Sequence, residues 1–386
     1  MKKIGVLTLY YNNFNMGGLL QAYALQKILE LTGFDTEQIS FDFTWHYGNG
    51  GKVKKLLKEF RNFLGMTSEK KVDNDFQIRM QKFQEFMESI PHSKRIYYAT
   101  SEFAKKYDAV VVGSDQVWAE WLPKGALKVF LLSSPKMNGK RYSYAVSLGM
   151  DVLSANMQRL FAVSLSTFEN ISVRESSNKA VLQKILPNKN ISNNLDPTLL
   201  LGESEWYKLA KKPQYKKPYL FCYFLGKNKS YRDAATRLAK EMKLHIVSIP
   251  YAKDHKKEGF DDSFGDYIDY SCGPMEFIGW ISSAEAVLTD SFHATVFSCQ
   301  FRKRFLALSR KNELGITSMN KRITDFLDLF ELSDHYLGID SLNNLSYIEK
   351  PNYELYNKKI SVLRDKSLEY LITTLNKGLG IDECFV

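Results

Sequence analysis

The sequence predicts an α/β protein of two doubly wound, Rossmann-like domains facing one cleft, with a long C-terminal helix. Three observations predict it. Short apolar runs alternate with helical periodicity from Lys3 to Leu332. The alternation pauses at the lysine- and proline-rich segment Lys211–Pro218, then restarts. Several apolar runs end in small, polar or charged residues, as strands do beside a ligand cleft. The expected domains are residues 1–212 and 213–386, with a helical insertion at about 50–95 and a terminal helix at 353–376.

In the first half, Lys3–Leu9 reads as a strand. Gly17-Gly18 opens a helix that reaches Leu31, and Gly33 stands where a C-cap glycine belongs. Thr36–Phe43 alternates as the second strand. The glycine pair either lets a ligand approach free helix amides or simply makes a tight turn. Its spacing is not that of the G-x-G-x-x-G fingerprint. Val53, Leu56, Leu57, Phe60, Phe63 and Leu64 have helical spacing under a basic face. Asp73–Ile90 gives a further helix, with Phe76, Met80, Phe83 and Met87 in register. Such an insertion fits either core cover or contact with a membrane surface.

Asp108–Gly113 is a continuous apolar run, expected of a parallel strand covered on both faces. It delivers Ser114 and Asp115 to a strand end. Arg141–Leu148 reads as a strand, Asn156–Phe168 as a helix, and Ile171–Val173 as a short strand ending at Arg174. An arginine there is either an ion-pair partner or an anion clamp, and the two other polar strand ends favour the clamp. Ser177–Leu186 is helical, and Leu195–Leu201 closes this half.

Beyond the linker, strands Pro218–Leu225 and Leu244–Pro250 flank the helix Tyr231–Met242. Asp254–Asp269 reads as a polar loop, and Gly273–Ser283 as a helix with proline in its first turn. Strand Ala286–Thr289 ends in Asp290-Ser291-Phe292-His293, where a helix begins. Either Asp290 or Ser291 caps that helix while His293 packs against it, or the corner carries chemistry. Strand Arg304–Ser309, helix Ile323–Leu332 and helix Tyr353–Leu375 complete the chain.

An apolar content of 44% and a charged content of 25% are ordinary for a globular protein, so disorder is excluded as a class. The net charge of +10 favours anionic partners, but neither lysine cluster carries a nucleic-acid motif, so nucleic acid is not an expected partner. Cys222, Cys272, Cys299 and Cys384 lie far apart, which points to neither zinc nor a disulfide framework and fits a reducing cytosol. The apolar run after Lys2-Lys3 is too short for a signal peptide, and no run is long enough to span a bilayer. The expected location is the cytoplasm, with the basic segment Lys52–Arg61 a candidate contact for the acidic inner face of the membrane.

Asn12–Gln26, Tyr107–Trp118, Ile171–Glu175, Leu195–Leu200 and Thr289–Phe297 together resemble the signature stretches of the polysaccharide pyruvyl transferase family. The resemblance implies a GT-B-like fold with the active site between the domains. It implies transfer of pyruvate from phosphoenolpyruvate to two hydroxyls of a sugar, giving a cyclic ketal on a cell-surface polysaccharide or its lipid-linked precursor. By resemblance, Arg174 and His293 match the family's functional arginine and histidine. Asp115, from its place at a strand end, is the candidate acceptor of the sugar proton, with loop capping its other reading. Asn15, Gly17, Gly18, Gln21, Ser114, Asp290, Ser291 and Arg322 are candidate substrate-binding residues. Family members often carry an arginine two residues before the histidine, where this chain has Ser291. Arg322, at the start of a helix after a polar loop, is the chosen source of the replacement charge over Lys321, Arg302 and Arg304. Neither metal nor cofactor is expected beyond phosphoenolpyruvate as donor. The competing readings are a nucleotide-sugar glycosyltransferase on the same architecture and a non-catalytic glycan-binding protein.

Overall fold

The computed structural model describes residues 1–47, 74–98, 105–133, 139–150, 152–253, 256–257, 259–310, 320–338, 341–342 and 345–381. The expected helix around Val53–Leu64, the basic run Lys52–Arg61, Lys311 and Cys384 lie outside the described residues.

The chain first runs through β1 (Lys3–Leu7), α1 (Met16–Leu31), β2 (Asp35–Gln38), α2 (Asn74–Glu88), β3 (Ala109–Val112), α3 (Lys124–Phe130) and β4 (Lys140–Ser143). It continues through α4 (Ala155–Leu165), β5 (Ile171–Val173), α5 (Ser176–Ile185), β6 (Ile191–Asn193), α6 (Pro197–Leu200) and α7 (Glu203–Leu209). Strands pair in the order β2-β1-β3-β4, all parallel. Parallel bridges Tyr142–Asn170 and Val146–Val173 hand the sheet on to the β5–β6 pair. All four residues of β3 are buried, as a strand with helices on both faces requires.

After the connecting segment come β7 (Tyr219–Tyr223), α8 (Lys229–Glu241), β8 (His245–Ile249), the hairpin β9 (Ala252–Lys253) and β10 (Lys256–Lys257), and β11 (Tyr267–Ile268). Then follow α9 (Pro274–Ser283), β12 (Ala286–Thr289), α10 (Phe292–Gln300), β13 (Arg304–Leu308), α11 (Lys321–Leu329), β14 (Tyr336–Leu337) and α12 (Tyr353–Leu379). This second sheet has the order β11-β8-β7-β12-β13-β14, again all parallel. Counted from β7, that is the doubly wound order 3-2-1-4-5-6. Strand order reverses between β1 and β3 in the first sheet and between β7 and β12 in the second. A crevice opens at each reversal, beyond the carboxyl ends of the strands.

Three elements depart from the expected bounds. The second strand stops at Gln38 rather than Phe43, because after Ile39, whose N still donates to Val6 O (2.8 Å), the backbone pairs with Ile96 instead of β1 (Ile96 N to Ser40 O, 2.9 Å; Asp42 N to Ile96 O, 2.9 Å). The strand expected over Arg141–Leu148 stops at Ser143, after which Val146 N donates to Ser172 O on the neighbouring segment. The polar loop Asp254–Asp269 contains part of a hairpin and the edge strand β11, both too short to show periodicity.

The core is continuous between the two sheets. One apolar cluster includes Ile4 and Leu25 from the first half, Val287 and Phe297 from the second, and Tyr356 and Leu371 from α12. In α2 the apolar face, Phe83, Phe86 and Met87, is turned into this core, so the described part of the insertion is core cover. The terminal helix starts on the second half, where the Tyr353 hydroxyl donates to Lys303 O (2.5 Å). It ends on the first, where a Cβ on Gly378 would lie 1.6 Å from the Tyr142 hydroxyl. Between these ends, Ser367 Oγ accepts from Leu195 N at 3.2 Å. The helix thereby straps both halves around the crevice. Among the described residues no helix is long and apolar enough to cross a membrane.

Candidate active site

The two crevices face each other, and two helix N-termini meet there. Asn15 caps α1, its Oδ1 accepting from Gly18 N at 2.9 Å. Ser291 caps α10 in the same way, its Oγ accepting from Ala294 N at 3.4 Å. His293 lies in the first turn of α10 and is buried. A Cβ on Gly17 would lie 1.9 Å from His293 Nδ1. The glycine at that position is therefore required by close approach: the first turn of α1 rests directly on the imidazole. The positive ends of both helices favour negative charge at this place.

Asp196 forms the centre of the charged cluster. It precedes Pro197 at the start of α6, and its Oδ1 accepts from Thr198 N (3.0 Å) and Thr198 Oγ1 (2.7 Å). That capping geometry fixes the carboxylate and leaves Oδ2 for long-range partners. Oδ2 accepts from Arg174 Nη1 at 2.7 Å, lies 3.4 Å from Ser114 Oγ, and lies 3.7 Å from His293 Nε2. Burial alone would raise the Asp196 carboxyl, but His293 and Arg174 outweigh it and hold it well below the usual carboxylate range.

Arg174 leaves the end of β5 and is buried. Its Nε donates to Glu175 Oε1 at 2.9 Å, its Nη2 lies 3.7 Å from Asp115 Oδ1, and its guanidinium sits 4.3 Å over the Phe292 ring. Burial works against its charge, yet Glu175, Asp196 and Asp115 together hold it above its ordinary value. Arg322 enters from α11, with Nη1 3.8 Å from the same Asp115 Oδ1. Burial, followed by repulsion from Arg174, brings it down to about 10. The cluster thus sets two guanidiniums against three carboxylates. A proton on His293 makes the count even.

Three buried nitrogens of this cluster, Arg174 Nη2, Arg322 Nε and His293 Nε2, have no hydrogen-bond partner among the described residues. Buried donors are nearly always satisfied, so their convergence is the feature that most needs a ligand to explain it. A cavity of about 190 Å³ opens beside Arg174 and Arg322, lined also by Glu175, Asp196, Phe292, Asp325, Asp328 and Lys366, and His293 is not among its lining residues. Among the described residues no group of three or more His, Cys, Asp or Glu side chains is arranged to hold a metal ion.

The structure brings His293, Arg174, Asp115, Ser114, Arg322 and Gly17 together. It uses the other expected residues differently. Gln21 is turned inward: its Nε2 donates to Thr8 Oγ1 (3.0 Å) and Gly18 O (2.8 Å), while its Oε1 accepts from Ser114 N (3.0 Å). It sets the β3 corner and offers little to a substrate. Gly18 packs against the Asn13 side chain, and Asn15 and Ser291 are helix caps. Asp290 points to the β7 end, where its Oδ1 accepts from Leu225 N at 2.7 Å, and burial raises its carboxyl. Asp196 and Glu175 are missing from the expected site. The Asp-Pro pair at 196–197 was a legible helix-start signal, but nothing in the sequence said which second partners its free oxygen would meet.

This arrangement, two parallel sheets with reversal points facing a charged crevice, is GT-B-like. Residues 15–312 match the model of the polysaccharide pyruvyl transferase family, and the chain belongs to that family, a family of transferases. Two solved structures are similar in fold. One is the Methanocaldococcus jannaschii UDP-GlcNAc 2-epimerase in complex with UDP-GlcNAc and UDP, with 14% identity, 97% of this chain and 99% of that chain covered, and a TM-score of 0.52. The other is the S. aureus MnaA–UDP co-structure, with 12% identity, 99% and 98% covered, and a TM-score of 0.51. At such identities the likeness concerns the fold alone. No curated protein matches the sequence.

Proposed function

We propose that the chain transfers the enolpyruvate-derived group of phosphoenolpyruvate to two hydroxyls of a sugar, forming a cyclic ketal on a polysaccharide or a lipid-linked precursor. The observation that carries this reading is that one charged cluster, linked through Asp115 and Asp196, holds three buried nitrogens without hydrogen-bond partners, on Arg174, Arg322 and His293. Phosphoenolpyruvate presents what that set needs, a carboxylate and a phosphate flanking a carbon that must gain positive charge.

In this reading His293 gives a proton to the methylene carbon, which becomes a methyl group and leaves an oxocarbenium-like centre on the middle carbon. A sugar hydroxyl adds to that centre and its proton passes to Asp115. The bond to phosphate then breaks, the phosphate leaving with the electron pair. The second hydroxyl closes the ring, and its proton departs with phosphate. Arg174 Nη2 and Arg322 Nε hold the carboxylate and phosphate, and Arg322 supplies the charge that Ser291 lacks. Asp196 is a positioning residue, fixing Arg174 and standing beside His293. Contact with an acidic membrane surface would bring the enzyme to a lipid-linked acceptor.

The test is phosphate release from phosphoenolpyruvate across a panel of free and lipid-linked sugars. Release that requires both an acceptor and His293 is expected. Thermal shifts with nucleotides and phosphoenolpyruvate discriminate a nucleotide-sugar enzyme, since a ligand at 100 times its Kd stabilises by about 2.7 kcal/mol. Stabilisation by UDP and none by phosphoenolpyruvate would overturn the reading.

A further inference from the structure

A third arginine enters the cleft with very different surroundings. Arg79 projects from α2 and is only 6% exposed. Its guanidinium lies 5.8 Å from the centre of the Phe76 ring and 5.9 Å from that of Phe83. Nη1 donates to the Pro250 carbonyl at 3.3 Å, just past the end of β8. It makes no ion pair among the described residues, and neither aspartate nor glutamate lines its cavity of about 80 Å³. The lining includes Asn15, Tyr223, Leu225 and Tyr251. A buried charge is normally paired, and among the described residues this one has no counter-charge.

Two further features place that cavity beside the charged cluster. Asn15, which lines it, is the N-cap of α1, and Gly17, two residues on, rests against His293. Leu225, which also lines it, is bonded to Asp290, three residues before His293. The first turn of α1 therefore separates His293 from the Arg79 cavity, and its positive end serves both.

We infer that Arg79 and the start of α1 form a second oxyanion subsite of the cleft, which takes a phosphate or carboxylate group of a substrate apart from the anion held by Arg174 and Arg322. Oxyanion binding stands independently of the reaction, whereas assigning the anion to a substrate rests on the transferase reading. The source argued for is a phosphate on the acceptor, since the proposed reaction already places both acidic groups of the donor on Arg174 and Arg322.

Titration of the full chain with inorganic phosphate is expected to give two binding events. Arg79→Gln removes one and Arg322→Gln removes the other, each with a loss of about tenfold or more in affinity. Asn15→Asp keeps the helix cap but puts a carboxylate in the cavity, and is expected to remove the same event as Arg79→Gln. If both variants are folded and bind phosphate with the stoichiometry and affinity of the unmodified chain, the inference is overturned, whatever the activity. If Arg79→Gln does not fold, Asn15→Asp decides alone. Kinetics then locate the source. A KM raised about tenfold for phosphoenolpyruvate alone overturns the assignment to the acceptor. A KM raised for a glycosyl phosphate but not for its unphosphorylated counterpart assigns the anion to the acceptor. A uniform fall in kcat with phosphate binding intact marks Arg79 as a merely structural residue and overturns the assignment.

Discussion

Arg174 and Arg79 are both buried arginines in the same cleft, and their surroundings are opposite. Arg174 is held by Asp196 at 2.7 Å and Glu175 at 2.9 Å, with Asp115 at 3.7 Å. Arg79 has two aromatic rings and one carbonyl. The first environment compensates charge within the protein and fixes geometry, which suits a reacting centre. The second leaves a cation without a counter-charge among the described residues, which suits the capture of an anionic group. Rigidity and attraction are thereby assigned to different arginines, on either side of the first turn of α1.

The largest expected effect is at the reacting centre. His293→Ala is expected to lower phosphate release by about 10²–10⁴-fold in protein that is still folded, with the thermal unfolding midpoint lowered by the space left at a buried site. Release within a few-fold of the unmodified chain would remove His293 as the proton carrier and collapse the contrast between the two regions.

Asp196→Asn sharpens the comparison on stability as well as rate. Breaking a buried charge pair commonly costs about 3–5 kcal/mol, and Arg174 would lose its closest acid. Because the native carboxyl is held below its ordinary value, its contribution is present above the unfolded value near 4 and is lost as pH falls toward the native one. Denaturant unfolding between neutral pH and about pH 3 should show a steeper acid loss in the unmodified chain than in Asp196→Asn. Parallel curves would mean that Asp196 is not held in its charged form by the fold.

Gly17→Ala probes the wall between the regions. The new methyl group would overlap the imidazole, so an activity loss of about 10–100-fold is expected with a stability loss of about 1–3 kcal/mol. Unchanged kcat would show that His293 tolerates displacement. Gln21→Ala is the mildest change. Its amide serves Thr8, Gly18 and Ser114, so about 1–3 kcal/mol of stability should be lost with KM near that of the unmodified chain. A raised KM with intact stability would restore Gln21 as a substrate contact.

Much of this was readable before any coordinates. The β3 run, the Gly-Gly start of α1 and the Pro at the head of α9 lie where periodicity and capping chemistry placed them. That His293, Arg174 and Asp115 lie past strand ends was legible because each follows a short apolar run, whereas roles for His293 and Arg174 came from the family resemblance. The sequence overreached where a side chain near the turn had an inward use: Gln21 and Asp290 point to the backbone of neighbouring strands. It fell short at Asp196, read only as part of the closing stretch Leu195–Leu201, because its partners Arg174 and His293 are reached through space. Arg79 was hidden for a similar reason, since on α2 it reads as one more charge on an amphipathic helix.

By itself the sequence determined the alternation of strands and helices, the parallel sheets that alternation implies, and which strand ends carry chemistry-bearing residues. These follow from local periodicity and from backbone groups that must be satisfied within a few residues. Only the tertiary structure decided which of those ends meet. Strand order places Asp115 between Arg174 and Arg322, sets His293 against Gly17, and leaves Arg79 without a carboxylate among the described residues. Charge compensation acts over a few ångströms through space, between residues as distant in sequence as Asp115 and Arg322, and no local pattern records it.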